Sequence, residues 1–150
     1  MDHVAILRKA NIKKDDDLLG DILSGRKTIE SRWYANKIAP WDKIRAGDTV
    51  YLKESGRAVT AKAEVSKVLQ YDNLNTEIKK GIVRKYGKQI APSTSEDDFL
   101  AWLGKQKNKR YCILIFLANV TPVKPFEIDK TGYGNSSAWL VTDNIKKLRK

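Results

Sequence analysis

The sequence of 150 residues predicts an α+β fold, a small antiparallel or mixed β-barrel with helices packed around it. Three observations point there. In residues 59–68, Val59, Ala61, Ala63 and Val65 alternate with Thr60, Lys62, Glu64 and Ser66, the period-2 pattern of a half-buried antiparallel strand. Residues 111–120 form a continuous apolar run of strand length, which predicts a central strand covered on both faces. Between these lie residues 74–86 and 95–106, which read as helices, the second with an apolar stripe of Phe99, Leu100 and Leu103. Strands of antiparallel style with inserted helices belong to the α+β class.

Taken in order, residues 4–7 read as a first short strand. Asp15, Asp16 and Asp17 then precede Leu18, Leu19, Ile22 and Leu23. Acids oppose the positive end of a helix dipole, and Gly25 can take the left-handed conformation that ends a helix, so a short helix is expected there. Residues 27–33 follow as a strand rich in Thr, Ile and Trp. Pro40 and Gly47-Asp48 punctuate a loop, residues 49–53 form a strand, and Ser55-Gly56 makes a turn. Ser95 with Glu96, Asp97 and Asp98 supplies N-cap chemistry for a helix whose stripe is Phe99, Leu100 and Leu103. Pro122 and Pro125 are expected to end the long strand. Residues 138–141 form a late strand, followed by a basic tail. With no repeat, low-complexity stretch or linker, the chain reads as one domain over residues 1–150, with a core of about 3–141 and a tail of 142–150.

Composition excludes several classes. Hydrophobic residues make up 41%, with 4 Trp, 6 Tyr and 3 Phe, which argues against disorder. The lone Cys112 cannot pair within the chain and reads as a core thiol. The apolar run at 111–118 is far short of the ~18–20 residues that cross a bilayer, and Met1-Asp2-His3 begins no apolar signal core. No membrane partner is expected, and a cytoplasmic protein is. His3 is the only histidine and reads as a surface residue. Without a second His or a Cys-x-x-Cys pair, no metal and no cofactor are expected. No phosphate-binding glycine loop is present.

Lys plus Arg total 29 against 18 Asp plus Glu, a net charge of +11. Residues 1–75 carry 14 basic and 11 acidic side chains; residues 76–150 carry 15 and 7. The excess gathers at Lys79, Lys80, Arg84, Lys85 and Lys88, at Lys105, Lys107, Lys109 and Arg110, and at Lys146, Lys147, Arg149 and Lys150. Such a field draws polyanions without choosing between RNA, DNA and an anionic surface. Each cluster taken alone reads first as a solvated helix face or a frayed tail, and it is the whole-chain bias that points beyond that.

The most specific pattern is Gly25-x-Lys27-x-x-Glu30-x-Arg32. On a strand, Thr28, Glu30 and Arg32 point to one face and Ile29, Ser31 and Trp33 to the other, with Lys27 at the turn-in and able to lean toward Glu30. Such a trio offers donors for a phosphate or base edge and one carboxylate acceptor. Two neighbouring cations also lower the lysine's proton affinity, which makes Lys27 a candidate base or nucleophile. An exposed Lys27–Glu30 pair with an exposed Arg32, of little energetic weight, is the alternative. Of the aromatic neighbours, Trp33 is expected in the core, while Tyr34, Trp41 and Tyr51 remain open as stacking surfaces. Lys53 at a strand end is a candidate site residue, as is Asn135 in a Gly-Asn-Ser loop; Arg45 reads as solvated.

This motif resembles the signature of the ASCH family (activating signal cointegrator homology), and the helix before it, Gly47-Asp48-Thr49-Val50 after it and the long strand at 111–120 fall in matching order. The resemblance implies a PUA-like barrel with Lys27, Glu30 and Arg32 lining a cleft for RNA or a nucleotide. It implies an RNA- or nucleotide-binding protein in which the basic clusters form a capturing rim. The alternative is a metal-independent enzyme, a ribonuclease or an amidohydrolase of acylated cytidine, with Lys27 and Glu30 as its acid and base. Lys27 matches the amidohydrolase lysine, but Glu30 stands where those relatives carry a threonine. A role as an adaptor in transcription coactivation is a third implication.

Overall fold

A computed structural model of the chain describes residues 1–8, 12, 16–134 and 136–150. Six strands, β1 (Asp2–Leu7), β2 (Ile29–Tyr34), β3 (Thr49–Glu54), β4 (Val59–Tyr71), β5 (Tyr111–Phe126) and β6 (Trp139–Thr142), form one sheet in the order β2-β5-β4-β3-β1-β6. β1 and β3 run parallel, and the other neighbouring pairs run antiparallel, so the sheet is mixed. It curls into a half-barrel whose two edges, β2 and β6, are not paired with each other. Three helices accompany it: α1 (Leu18–Leu23), α2 (Thr76–Ile90) and α3 (Glu96–Lys105).

Alternation along the strands sorts side chains onto the two faces. Ala5, Leu7, Val50, Leu52, Ala61, Ala63, Val65, Ile113 and Ile115 fill the concave side, closed by α1 through Leu18, Leu19 and Ile22. Ile29, Trp33, Cys112 and Leu114 face α2 and α3, whose Ile82, Val83, Ile90, Phe99 and Leu103 complete a second core. Thus β5 is covered on both faces, as its apolar run predicts. A third cluster joins Val4, Ile6, Val59 and Leu140 to Ile128 and Leu148. The caps agree with the sequence: Asp17 accepts from the Gly20 amide and Ser95 from the Asp98 amide. Asp15 lies outside the described residues.

Three expectations need correction. Pro122 and Pro125 do not end β5, which continues to Phe126. Past Phe116 the strand has lost its β2 partner, and the side turned away from β4 is free to carry residues without an N–H. Shifts of register against β4, with Asn119 at φ 51°, take up the irregularity. The C-terminal segment is not frayed, because Leu148 is buried and accepts from the Asp129 amide, and Ile128 pairs with Arg149. His3 is not on the surface but fully buried. It shares the concave face with Ala5 and Leu7 on a strand paired along both edges. No helix among the described residues is long and apolar enough to cross a membrane.

Candidate functional site

The Gly25–Arg32 segment is pinned before its strand begins. Gly25 takes φ 81° just after α1, a conformation that costs a side-chain-bearing residue more. The Lys27 amide then donates to the Asp21 carbonyl, and the Thr28 amide to the Gln89 carbonyl of α2. From Ile29 the pleat sends Ile29 and Trp33 toward α2 and α3, and Glu30 and Arg32 to the other face.

Lys27 is 2% exposed. Its Nζ donates to the Ile29 carbonyl at 2.7 Å and to the Ile90 carbonyl at 2.6 Å, and lies 3.4 Å from Glu30 Oε1. An ammonium has three N–H groups, and these partners account for all three. The Ser31 amide donates to Glu30 Oε1 at 3.1 Å, and Arg32 Nη2 stands 3.4 Å from Glu30 Oε2. Arg32 also donates from Nη1 to the Ala138 carbonyl and from Nη2 to the Ile6 carbonyl, both at 3.2 Å. Its guanidinium rests 5.0 Å from the centre of the Trp139 ring. Arg32 therefore reaches from edge strand β2 to β1 and to the residue before β6, bridging the gap the backbone leaves open.

Burial pushes the Lys27 ammonium below its ordinary proton affinity, with Glu30 partly opposing and Arg32 adding a smaller push in the same direction. The lowering expected from sequence is present, but burial rather than the neighbouring cation is its main cause. Burial alone would raise the Glu30 carboxyl; Lys27 and Arg32 outweigh it and hold Glu30 below the usual carboxylate range. Burial raises the Tyr34 phenol, with Arg32 opposing.

A cleft of about 300 Å³ opens over this arrangement. Glu30 and Arg32 form its floor, Tyr34 and Trp102 bring aromatic rings, and Arg8 and Lys109 bring cations. Lys27 does not line it and sits beneath as a pedestal for Glu30. Of the predicted site residues, the structure thus brings together Lys27, Glu30, Arg32 and Tyr34. Lys53 lies elsewhere: it pairs with Ile6 and interacts with Glu127 and Lys130, where burial lowers its proton affinity. Asn135 lies outside the described residues. Trp41 packs edge-on to Tyr111, and Tyr51 edge-on to Phe126 in the third cluster. Lys109 lines the cleft, whereas Arg84, Lys85 and Lys88 line a groove between α2 and α3, and Lys147 a hollow beside Asp129 and Asp143. Sequence reasoning missed Arg8, Trp102 and the Trp139 support; the alternation of His3, Ala5 and Leu7 was the available signal for His3. Among the described residues no His, Cys, Asp and Glu cluster in a metal-binding arrangement.

No sequence-family model and no curated protein sequence matches the chain. Solved structures do. ASCH from Zymomonas mobilis superposes with a TM-score of 0.64 at 14% identity, over 99% of this chain and 96% of that one. A Tyr-to-Phe variant of the same protein gives 0.65 at 14% identity, over 99% of both chains. The chain has the ASCH fold. The N-terminal domain of Staphylothermus marinus McrB is a more distant neighbour, with a TM-score of 0.50 at 13% identity over 84% of this chain and 76% of that one. In this ASCH fold, Lys27, Glu30 and Arg32 knit the strand after α1 to the far edge of the half-barrel.

Proposed function

We propose that this ASCH-fold protein binds nucleic acid, and that it takes single-stranded or modified RNA, or a nucleotide, into the cleft over Glu30 and Arg32. The observation that carries this reading is the cleft floor. Glu30 offers a carboxylate acceptor for a base amino or imino group, and Arg32 has more N–H groups than its protein contacts use. A volume of about 300 Å³ is at the small end for ligand pockets and has room for one nucleotide, not for a duplex. Tyr34 and Trp102 offer faces on which an unpaired base can stack, and Arg8 and Lys109 offer phosphate partners. The net charge of +11 supports fast capture of a polyanion.

Catalysis by Lys27 and Glu30 on RNA or an acylated nucleoside is the second reading. The lowered proton affinity of Lys27 beside a carboxylate favours it. Against it, the amine donates to two carbonyls and does not line the cleft.

Anisotropy of a fluorescein-labelled single-stranded RNA across a salt series tests the first reading. Affinity should fall steeply as salt rises and should weaken in Arg8→Ala and Lys109→Ala. Affinity that ignores salt and both substitutions would overturn it. Incubation of the same RNA with wild type and with Glu30→Gln tests the second: cleavage present in the former and absent in the latter would move Glu30 from recognition to chemistry.

A further inference from the structure

Behind Arg32 stands a polar group that the cleft itself does not use. His3 is fully buried, and its Nδ1 accepts the indole N–H of Trp139 at 3.0 Å. Its Nε2 stands 2.8 Å from Asp48 Oδ2. An indole nitrogen only donates and a carboxylate only accepts, so a neutral imidazole with its proton on Nε2 satisfies both partners. A further proton has only Nδ1 to occupy, where it would face the indole N–H donor head-on. The two rings lie 5.8 Å apart, tilted by 58°. The same indole carries the Arg32 guanidinium over its ring, 5.0 Å from the ring centre.

We propose that His3 and Trp139 are positioning residues for Arg32, and that protonation of His3 Nδ1 releases the indole and loosens the cleft floor. The charged groups around His3 are Asp48 in the loop before β3, Asp2 on β1 and the Met1 amino group, which is 3.2 Å from Asp48 Oδ1. β3 and β6 place uncharged Val50 and Val141 opposite it. Burial disfavours the charged ring most; Asp48 and Asp2 favour it and the Met1 amino group opposes it, leaving the ring harder to protonate than a free histidine. Asp48 remains ionised throughout, because His3, the Arg45 amide and the Met1 amino group outweigh the effect of burial on it. The Arg32 floor is therefore ordered at neutral pH and released on acidification below the ordinary histidine range. The consequence for binding rests on the RNA reading above; the coupling between His3 and Arg32 does not.

The test uses the full chain labelled with ¹⁵N. In wild type, the Arg32 Nε–H heteronuclear NOE and the Trp139 indole N–H shift should follow the His3 ring titration, read from the His3 ring signals themselves as pH falls below the ordinary histidine range. His3→Gln supplies an amide oxygen for the indole and an amide N–H for Asp48, and cannot titrate. It should keep the neutral-pH Arg32 signal and lose the pH response. His3→Leu removes the acceptor and should lower Arg32 order at every pH. Affinity for the labelled single-stranded RNA at pH 7.5 should follow the same order, with Gln close to wild type and Leu weaker by roughly threefold to tenfold, the scale of one cation–π contact. An Arg32 signal unmoved while the His3 ring titrates, or equal in Gln and Leu, overturns the relay. Arg32 order that tracks His3 while wild type binds no RNA at any pH overturns the RNA reading and leaves the relay standing.

Discussion

Lys27 lies 2% exposed with every N–H group engaged, while Arg84 on α2 is 65% exposed and reaches Glu96 at 3.5 Å across open solvent. Lys85 and Lys88 stand exposed beside it. These two regions hold the same kinds of charge under opposite conditions. In the cleft floor the interior strengthens each charge interaction, and each buried ion must find partners or cost several kcal/mol. On α2, water and salt screen each charge, and a pair contributes about 0–1 kcal/mol. The first region should govern shape and stability; the second should govern attraction at a distance.

The largest break in that comparison is Lys27→Met. It removes the partner of the Ile29 and Ile90 carbonyls and leaves Glu30 with the Ser31 amide and Arg32, so urea denaturation should show a loss of about 3–5 kcal/mol. Acidification comes next. The Glu30 carboxyl is depressed in the folded chain, so its contribution is present above the unfolded carboxylate pKa and is lost as pH falls through that range. His3 is depressed too, so the unfolded chain takes the proton first and stability begins to fall as pH drops through the ordinary histidine range. Lys27, also depressed, stabilises the fold further only as pH rises toward the unfolded lysine range. Urea midpoints should therefore decline from pH 8 to pH 4 in two stages, with the upper stage missing in His3→Gln.

Arg32→Lys keeps the charge but loses the planar fork that spans Glu30, Ile6 and Ala138, and a loss of about 1–2 kcal/mol is expected by thermal melting. The smallest effect on folding is expected from Lys85→Glu with Lys88→Glu. Stability should stay within about 0.5 kcal/mol of wild type, while the salt dependence of RNA affinity becomes shallower. A double variant that melted as far below wild type as Lys27→Met would erase the distinction between the two regions.

Much of the fold was legible because its signals are local. The alternation of Val59, Ala61, Ala63 and Val65, the Ser95 cap and the left-handed Gly25 each report on a few neighbouring residues, and the structure uses them as read. The pleat also placed Ile29 and Trp33 opposite Glu30 and Arg32. Pro122 and Pro125 were misread because a proline's cost depends on whether its missing N–H faces a partner, and that depends on where β2 ends. His3 was misread because its alternation with Ala5 and Leu7 was outweighed by its polarity, and its buried partners, Asp48 and Trp139, lie 45 and 136 residues away in the chain.

By itself, then, the sequence determined the strands, the helices and the set of charges on the segment after α1, since pattern and turn chemistry act over a few residues. Only the tertiary structure decided what those charges do. Curling the sheet brings Ile6 and Ala138 to Arg32, Ile90 to Lys27 and His3 to Trp139, contacts separated by 26 to 136 residues. Those contacts hold Lys27 beneath the cleft and leave Glu30 and Arg32 facing into it, because in a buried site the supply of partners, not the residue type, decides which charge is free to act.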